Sequence, residues 1–375
     1  MLHIVTTDAA LDHPAYSLLN QECGDYFTVS TMPAVHFPAA VPSVGNLLRY
    51  QLRQFRAFAD AYRAIRRQVQ PDVVYLNDLN CCDKAVGLLG SPFAGSPLTA
   101  TLLGIKFHHR SMDVNGVSSR NDWLNEKLFA RLLRVRSLMS LLQIDPLLVP
   151  YVKRKSLKGF EKVRYVPDIA HLSGKITKQQ ARRAFAINDD QIVVLVYGSL
   201  DARKGIKSLV AALHHLGRTS NVVALVAGEP QWSVRQLLTE KDVTDLMESG
   251  RLQVSAGFLS DQREFTVFKA ADIVWLGYQG FYGMSGVLLQ AGLAGLPVIA
   301  CKQGLIGWFV QNHGLGEIVD ATDPADIALS LQRLANEPQT RCSYGERGRR
   351  LAIDHAPQRF ADNVCDAIFS AAHGM

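Results

Sequence analysis

Short apolar runs alternate with segments of helical periodicity along the chain of 375 residues. The runs at 2–7 (LHIVTT), 72–78 (DVVYLND) and 191–200 (QIVVLVYGSL) are typical of buried strands. Apolar residues recur at steps of three and four from Leu52 to Val69, which predicts one face of a long helix. Alternating strands and helices predict an α/β fold in which helices cover parallel sheets.

A break in this alternation near 165–190 predicts two doubly wound, Rossmann-like domains, because 375 residues exceed what one core usually supports. We assign residues 1–170 to the first domain, 171–355 to the second and 356–375 to a C-terminal helix that we expect to cross back to the first domain. In the first domain, the pattern also predicts a basic helix from about Asn125 to Leu142. Ligands of such folds bind beyond the carboxyl ends of the strands, and we expect them in a cleft between the two sheets.

The composition adds a location and a charge asymmetry. No apolar run reaches eighteen residues, and the N-terminus is too short and polar for a secretory signal, so we expect a cytoplasmic protein. Residues 1–170 carry 20 Lys and Arg against 14 Asp and Glu, whereas 171–375 carry 20 of each. This excess favours an anionic partner, and we expect an anionic membrane surface on the inner face of the plasma membrane. A solvated basic face without a partner is the alternative, and no stacking motif or zinc finger indicates nucleic acid.

Two turns in the second half have the chemistry of anion sites. Arg203 and Lys204 directly precede a predicted helix, where cations and free backbone N–H groups act together. A glycine-serine turn precedes the next apolar helix, and its glycines allow close approach of a ligand while its N–H groups lie at the positive end of the helix dipole. Exposed surface charges and a simple serine N-cap are the alternatives. The residues of this second turn are Gly283, Ser285, Gly286 and Val287.

The second half resembles GT-B glycosyltransferases, most closely the large retaining group called family 4 or group 1. The resemblance rests on VYGSLDARKGIKSLVAAL, VALVAGEP and the segment from VSAGFLSD to GLPVIA, in that order. It implies a nucleotide-sugar donor whose diphosphate contacts Lys204. Two glutamates that this family places eight positions apart are replaced here by Tyr282 and Gln290, at the donor sugar and the ribose respectively. A glutamate at 290 would then improve nucleotide affinity.

The same resemblance implies the remaining sites and the reaction. The nucleotide base is expected at Gly257, Phe258 and Leu259. The reaction would be a retaining transfer that needs neither a metal nor a cofactor; no Asp-x-Asp, G-x-x-x-x-G-K-[ST] or G-x-G-x-x-G occurs in the sequence.

The first domain is expected to bind the acceptor, a sugar in a lipid-linked or surface-polysaccharide precursor. We expect His108 and His109 to act in catalysis, and Asp12 and His13 to contact the acceptor. Two exposed loop histidines without a role are the alternative for the first pair. A non-catalytic nucleotide-sugar-binding subunit of another transferase is the alternative for the whole protein, because the glutamate pair is missing.

Overall fold

The protein divides into two compact units in a computed structural model that describes residues 2–36, 44–116, 119 and 121–374. The first unit takes residues 1–108, 119–166 and 362–375, and the second takes 109–118 and 167–361. The last helix therefore belongs to the first unit from Asp362 onward.

The strands of the first unit form two parallel sheets among the described residues. Strands β1 and β2 pair with each other, and the other four follow the order β3-β4-β5-β6. The pairing of β1 with β2 as a separate sheet differs from the single doubly wound sheet that the sequence predicts for this unit. The strands are β1 (Leu2–Thr6), β2 (Phe27–Thr31), β3 (Val74–Leu76), β4 (Leu98–Thr101), β5 (Leu138–Gln143) and β6 (Val163–Tyr165). The helices are α1 (Asp8–Leu11), α2 (Pro14–Cys23), α3 (Val44–Arg66), α4 (Asp83–Leu89), α5 (Asp122–Leu133) and α6 (Leu148–Arg154).

The predicted helix from Asn125 to Leu142 is wrong in its second half. Helix α5 ends at Leu133, and strand β5 begins at Leu138. Strand β5 pairs with β4 on one side and β6 on the other, and five of its six residues are buried. An interior parallel strand is apolar on both faces, so its sequence lacks the alternation that would separate it from a buried helix.

The second unit contains a single six-stranded parallel sheet in the order β12-β11-β10-β7-β8-β9. The strands are β7 (Ile192–Tyr197), β8 (Val222–Gly228), β9 (Leu252–Ala256), β10 (Ile273–Leu276), β11 (Val298–Cys301) and β12 (Gly316–Val319). The helices are α7 (Lys178–Arg183), α8 (Ile206–His215), α9 (Trp232–Leu237), α10 (Lys241–Glu248), α11 (Asp261–Ala270), α12 (Gly286–Ala294), α13 (Gly304–His313), α14 (Pro324–Asn336) and α15 (Pro338–Ile353), and α16 (Pro357–Ala372) continues into the first unit.

The chain order of this sheet reverses between β7 and β10. From β7 the chain builds outward through β8 and β9, and it then returns to place β10 on the other side of β7. The loops that leave the carboxyl ends of β7 and β10 diverge here and leave a crevice, which is where doubly wound sheets bind their ligands. The Rossmann-like architecture predicted for the second half is therefore confirmed, and its strand order locates the candidate site.

A buried carboxylate fixes the beginning of β7. Asp272 accepts hydrogen bonds from Arg182 (2.6 Å), from Lys178 (2.6 Å) and from the backbone N–H of Val193 (2.8 Å). Since two cations and a backbone amide neutralise one carboxylate, its burial is compensated. The network joins α7, β7 and the start of β10. The two strands that lead to the crevice are therefore held together at their amino-terminal ends, away from the crevice.

Candidate anion site at the strand ends of the second unit

Two turns lie side by side at the carboxyl ends of β7 and β10. The chain leaving β7 passes Gly198 and a short 3₁₀ turn at Ala202–Lys204 before α8 begins. A methyl group placed on Gly198 would lie 3.4 Å from Nζ of Lys204 and 4.0 Å from Cγ2 of Val287, the second residue of α12. The structure therefore brings together the two turns that the sequence singled out separately.

Lys204 is the central cation of this site. Its side chain is buried, with only 3% of the residue exposed, and Nζ donates to the carbonyl oxygen of Tyr197 (2.7 Å) and to the hydroxyl of Tyr278 (2.5 Å). Burial, followed by the neighbouring charge of Arg203, lowers the pKa of the ammonium from 10.5 to about 8. The ammonium thus lies in a desolvated position with neutral partners, a state that a bound anion would stabilise.

The backbone around Lys204 is fixed by the end of β10. The indole Nε1 of Trp275 donates to the carbonyl oxygen of Lys204 (2.8 Å). Gly205 has φ +65°, and a methyl group there would lie 2.3 Å from the carbonyl oxygen of Gly277, so only glycine fits this turn. Because the loop is pinned on both sides of the lysine, its position is set before any ligand binds.

Arg203 already forms an ion pair with Asp201, whereas the hydrogen-bond partners of Lys204 are neutral. Its Nε donates to Asp201 Oδ2 (2.9 Å), its side chain is 39% exposed, and its guanidinium lies over the ring of Phe281 at 4.8 Å. Arg203 therefore keeps a position at the rim of the site, while Lys204 provides the buried charge.

The glycine-serine turn is not explained by capping. Ser285 occupies the N-cap position of α12, but its side chain accepts no hydrogen bond from the helix. Ser285 is buried, with 7% of the residue exposed, and its hydroxyl lies 3.3 Å from the hydroxyl of Tyr278. Tyr278 therefore bridges Ser285 and Lys204. The interpretation of Ser285 as a simple N-cap is therefore wrong.

The first turn of α12 remains open to a ligand. A methyl group placed on Gly286 would meet no atom within 4 Å. In the part of the chain that the structure describes, no acceptor is found for the N–H groups of Gly286 and Val287. A methyl group placed on Gly283, before this turn, would lie 3.3 Å from Cζ of Phe281. Free amides at the start of a helix, next to a buried ammonium, are suited to binding a phosphate group, and this role stays a prediction.

Tyr282 and Gln290, which replace the two expected glutamates, have different environments. The carbonyl oxygen of Tyr282 accepts from the N–H of Leu305 (3.0 Å), and its half-buried ring lies near Gly116. Gln290, one turn into α12, donates through Nε2 to Glu264 (2.7 Å). Sequence reasoning missed Glu264, which belongs to the first turn of α11.

The predicted base site follows β9, the edge strand that β8 separates from β7. The N–H of Gly257 donates to the carbonyl oxygen of Gly228 (2.9 Å), which connects the ends of β9 and β8. The ring of Phe258 is 84% exposed, and Leu259 is half-buried. An exposed aromatic ring is suited to stacking on a base, and this role stays a prediction.

The residues predicted in the first half differ in their exposure. His108 is fully buried, and its Nε2 lies 2.8 Å from Oδ2 of the buried Asp145. His109 is also buried, at the start of a short 3₁₀ turn. The alternative of two exposed loop histidines is therefore wrong, and their catalytic role stays a prediction. Asp12 and His13 are exposed residues that follow α1 directly, which leaves their acceptor role untested as well.

Comparison with known proteins gives a partial match to one family. Residues 177–351 match the family described as Glycosyl transferases group 1. A relative from Corynebacterium kroppenstedtii, D-inositol 3-phosphate glycosyltransferase, is 28% identical over 185 residues. That match covers 48% of this chain and 39% of the relative, so the chain spans about two fifths of that protein.

Two solved structures share the fold over nearly the whole chain. Sucrose-phosphate synthase from Thermosynechococcus elongatus has a TM-score of 0.70 at 16% identity and covers 100% of both chains. HepE of Anabaena, solved in complex with UDP, has a TM-score of 0.67 at 15% identity and covers 98% of this chain and 99% of its own. The GT-B fold predicted from the sequence is confirmed.

Proposed function

We propose that the protein is a glycosyltransferase that moves a sugar from a nucleoside diphosphate sugar to a hydroxyl of an acceptor. The observation that carries this proposal is the convergence of Lys204 with the open first turn of α12 at the switch point of the second sheet. The match of residues 177–351 to the group 1 glycosyltransferase family supports the same activity.

The chemistry of the site suits a metal-independent reaction. As the bond between the sugar and the diphosphate breaks, negative charge develops on the departing phosphate. The buried ammonium of Lys204 and the N–H groups of Gly286 and Val287 can neutralise this charge, because they are in place before the reaction begins. In a retaining transfer, the departing phosphate would also accept the proton of the acceptor hydroxyl.

The donor and the acceptor are proposed by chemical class. HepE, which shares the fold, was solved with UDP, and the relative from Corynebacterium is named for an inositol phosphate acceptor. We expect a pyrimidine or purine nucleoside diphosphate sugar as donor and a polyhydroxylated acceptor, either lipid-linked or part of a surface polysaccharide. This protein would have no resident metal or cofactor.

The first unit offers a surface for an anionic membrane. Arg49, Arg53, Arg56 and Arg63 of α3 are exposed on one side of the helix, while Tyr62 on the apolar side is buried. No helix among the described residues has both the length and the apolar character needed to cross a bilayer. We therefore expect peripheral attachment through charge, which falls as salt rises. Vesicles that bind the protein equally at low and high salt would contradict this mode.

The direct test is release of nucleoside diphosphate from a panel of UDP- and GDP-sugars in the presence of EDTA. The wild-type protein should release diphosphate slowly from one donor by hydrolysis, and faster by transfer when a suitable acceptor is present. Lys204→Met should abolish release, whereas Lys207→Met, whose side chain is 79% exposed on the next helix, should retain it. Equal release by the two variants would contradict the proposal.

A second candidate is a nucleotide-sugar-binding subunit without activity of its own. The observation that favours it is Tyr282, which offers no carboxylate to a donor sugar at a position next to the anion site. Calorimetry with UDP, GDP and their sugars separates the two functions, because a binding subunit would bind a donor but release no diphosphate with any acceptor.

A further inference from the structure

A carboxylate and an amide lie beside the anion site in the second unit. Glu264, in the first turn of α11, accepts the hydrogen bond of the Gln290 amide at 2.7 Å through Oε1. The same oxygen accepts a short hydrogen bond from the hydroxyl of Tyr197, the last residue of β7. All three side chains are half-buried, so the group is neither part of the core nor a set of free surface residues.

Tyr197 connects this pair directly to the cation of the anion site. Its hydroxyl donates to Glu264, while its carbonyl oxygen accepts from Nζ of Lys204 (2.7 Å). Gln290 lies four residues after Gly286, so both are on one face of α12. A ligand whose phosphate contacts Lys204 and Gly286 therefore has Glu264 and Gln290 next to the group that the phosphate carries.

The polar atoms that remain available here are acceptors. The Gln290 Nε2 donates both to Glu264 and to the carbonyl oxygen of His171 (3.3 Å), so its Oε1 is directed elsewhere. Among the residues that the structure describes, neither this Oε1 nor Glu264 Oε2 has a hydrogen-bond donor. Two acceptors, one of them a carboxylate, repel phosphate and are suited to a ligand with two O–H donors.

We propose that Glu264 and Gln290 bind a vicinal diol that is attached to the diphosphate, and that Glu264 supplies the carboxylate missing from position 290. This inference rests on the proposed function. The diol belongs either to the ribose of the nucleotide or to the transferred sugar, since both place adjacent hydroxyls next to a phosphate. Glu264 would then be a specificity-determining residue, because a half-buried acceptor left without its hydroxyl weakens binding of the wrong ligand.

Glu264→Gln is the variant that tests this role. A glutamine keeps an oxygen for Tyr197 and Gln290 but replaces the free carboxylate oxygen by an NH₂ group, which donates instead of accepting. Asp261→Asn is the matched control, since Asp261 lies in the same turn of α11 with a side chain that is 79% exposed. Both variants should keep the wild-type melting temperature to within a few degrees.

The measurement is calorimetric affinity for pyrophosphate, for UDP and GDP, for their 2′-deoxy forms, and for UDP- and GDP-sugars. If the diol is the ribose, the wild-type protein should prefer the ribonucleotide over its 2′-deoxy form by about 10- to 100-fold, as expected for a hydrogen bond to a charged group. Glu264→Gln should reduce that preference to about threefold or less and leave pyrophosphate affinity unchanged. Asp261→Asn should change neither.

The other outcomes are equally distinct. If Glu264→Gln lowers affinity only for the nucleotide sugar and not for the nucleotide, the diol is that of the transferred sugar. If the variant binds every ligand as the wild-type protein does, or loses affinity equally for all of them including pyrophosphate, Glu264 is a structural anchor and the inference is overturned. If the wild-type protein binds neither pyrophosphate nor any nucleotide, the proposed function fails and the inference fails with it.

Discussion

Replacement of Lys204 by methionine should separate stability from binding. Keeping this ammonium charged in the folded protein is unfavourable, because burial lowers its pKa from 10.5 to about 8. A shift of this size corresponds to about 3 kcal/mol. Methionine fills a similar volume without a charge, although it also removes the hydrogen bonds to Tyr197 and Tyr278, which together contribute about 3 kcal/mol because their donor is a charged group. At pH 7, Lys204→Met should therefore be about as stable as the wild type.

The pH dependence isolates the contribution of the charge. Between pH 8 and 10.5 the unfolded protein keeps a proton on Lys204 that the folded protein has released, so the unfolded state binds more protons. The free energy of unfolding of the wild type should then rise with pH relative to that of Lys204→Met, by about 3 kcal/mol across this window. This gain is present above pH 10.5 and is lost as the pH falls towards 8.

The assay is urea unfolding of both proteins from pH 7 to pH 10.5, with Lys207→Met as the control. Other titrating groups contribute equally to the wild type and the variant, so the difference between their free energies of unfolding reports Lys204 alone. The exposed Lys207 should show no such change. If the difference in free energy of unfolding between wild type and Lys204→Met stays constant with pH, the pKa of Lys204 is not lowered in the folded protein and the reasoning is refuted.

Three further predictions follow from the same contacts. Tyr278→Phe removes the hydroxyl that bridges the buried lysine and the serine of the turn, so it should raise the Kd for pyrophosphate about three- to tenfold, measured by calorimetry. Gln290→Glu should weaken nucleotide binding rather than improve it, because it places a second carboxylate at the 2.7 Å contact with Glu264; tighter binding would show that the two side chains do not face each other. Gly205→Ala should destabilise the protein by more than about 2 kcal/mol in urea unfolding, since its methyl group meets a carbonyl oxygen at 2.3 Å, whereas Gly217→Ala, which meets nothing within 4 Å, should cost about 1 kcal/mol.

The sequence predicts the second unit better than the first. The strands at 192–197 and 222–228 are apolar runs with a glycine at the carboxyl end, and each is followed by a helix, so local pattern and final structure agree. In the first unit, the sequence pattern predicts a helix where β5 lies, because its apolar residues follow α5 after only four residues. Strands β1 and β2 form a sheet separate from β3. This pairing depends on long-range contacts, which cannot be predicted from the periodicity of the sequence.

Within the candidate site, too, some residues could be predicted from the sequence and others could not. Lys204 and the turn at 283–287 could be found in the sequence, because a cation or a glycine-serine pair before a helix has a local meaning. Trp275 and Tyr278 could not be found in this way. Each forms a hydrogen bond with Lys204, about seventy positions earlier in the chain, and Tyr278 also contacts Ser285, seven residues ahead. Glu264 resembles any acidic residue in the first turn of a helix, and only its contact with Gln290 distinguishes it.

A crystal structure of the protein with UDP or GDP, grown in EDTA, would show whether the two turns bind the diphosphate. We expect a phosphate about 3 Å from Nζ of Lys204 and from the N–H groups of Gly286 and Val287, with the ribose or sugar towards Glu264. A nucleotide bound elsewhere on the second unit, or phosphates whose oxygens contact neither Lys204 nor the first turn of α12, would refute this binding mode.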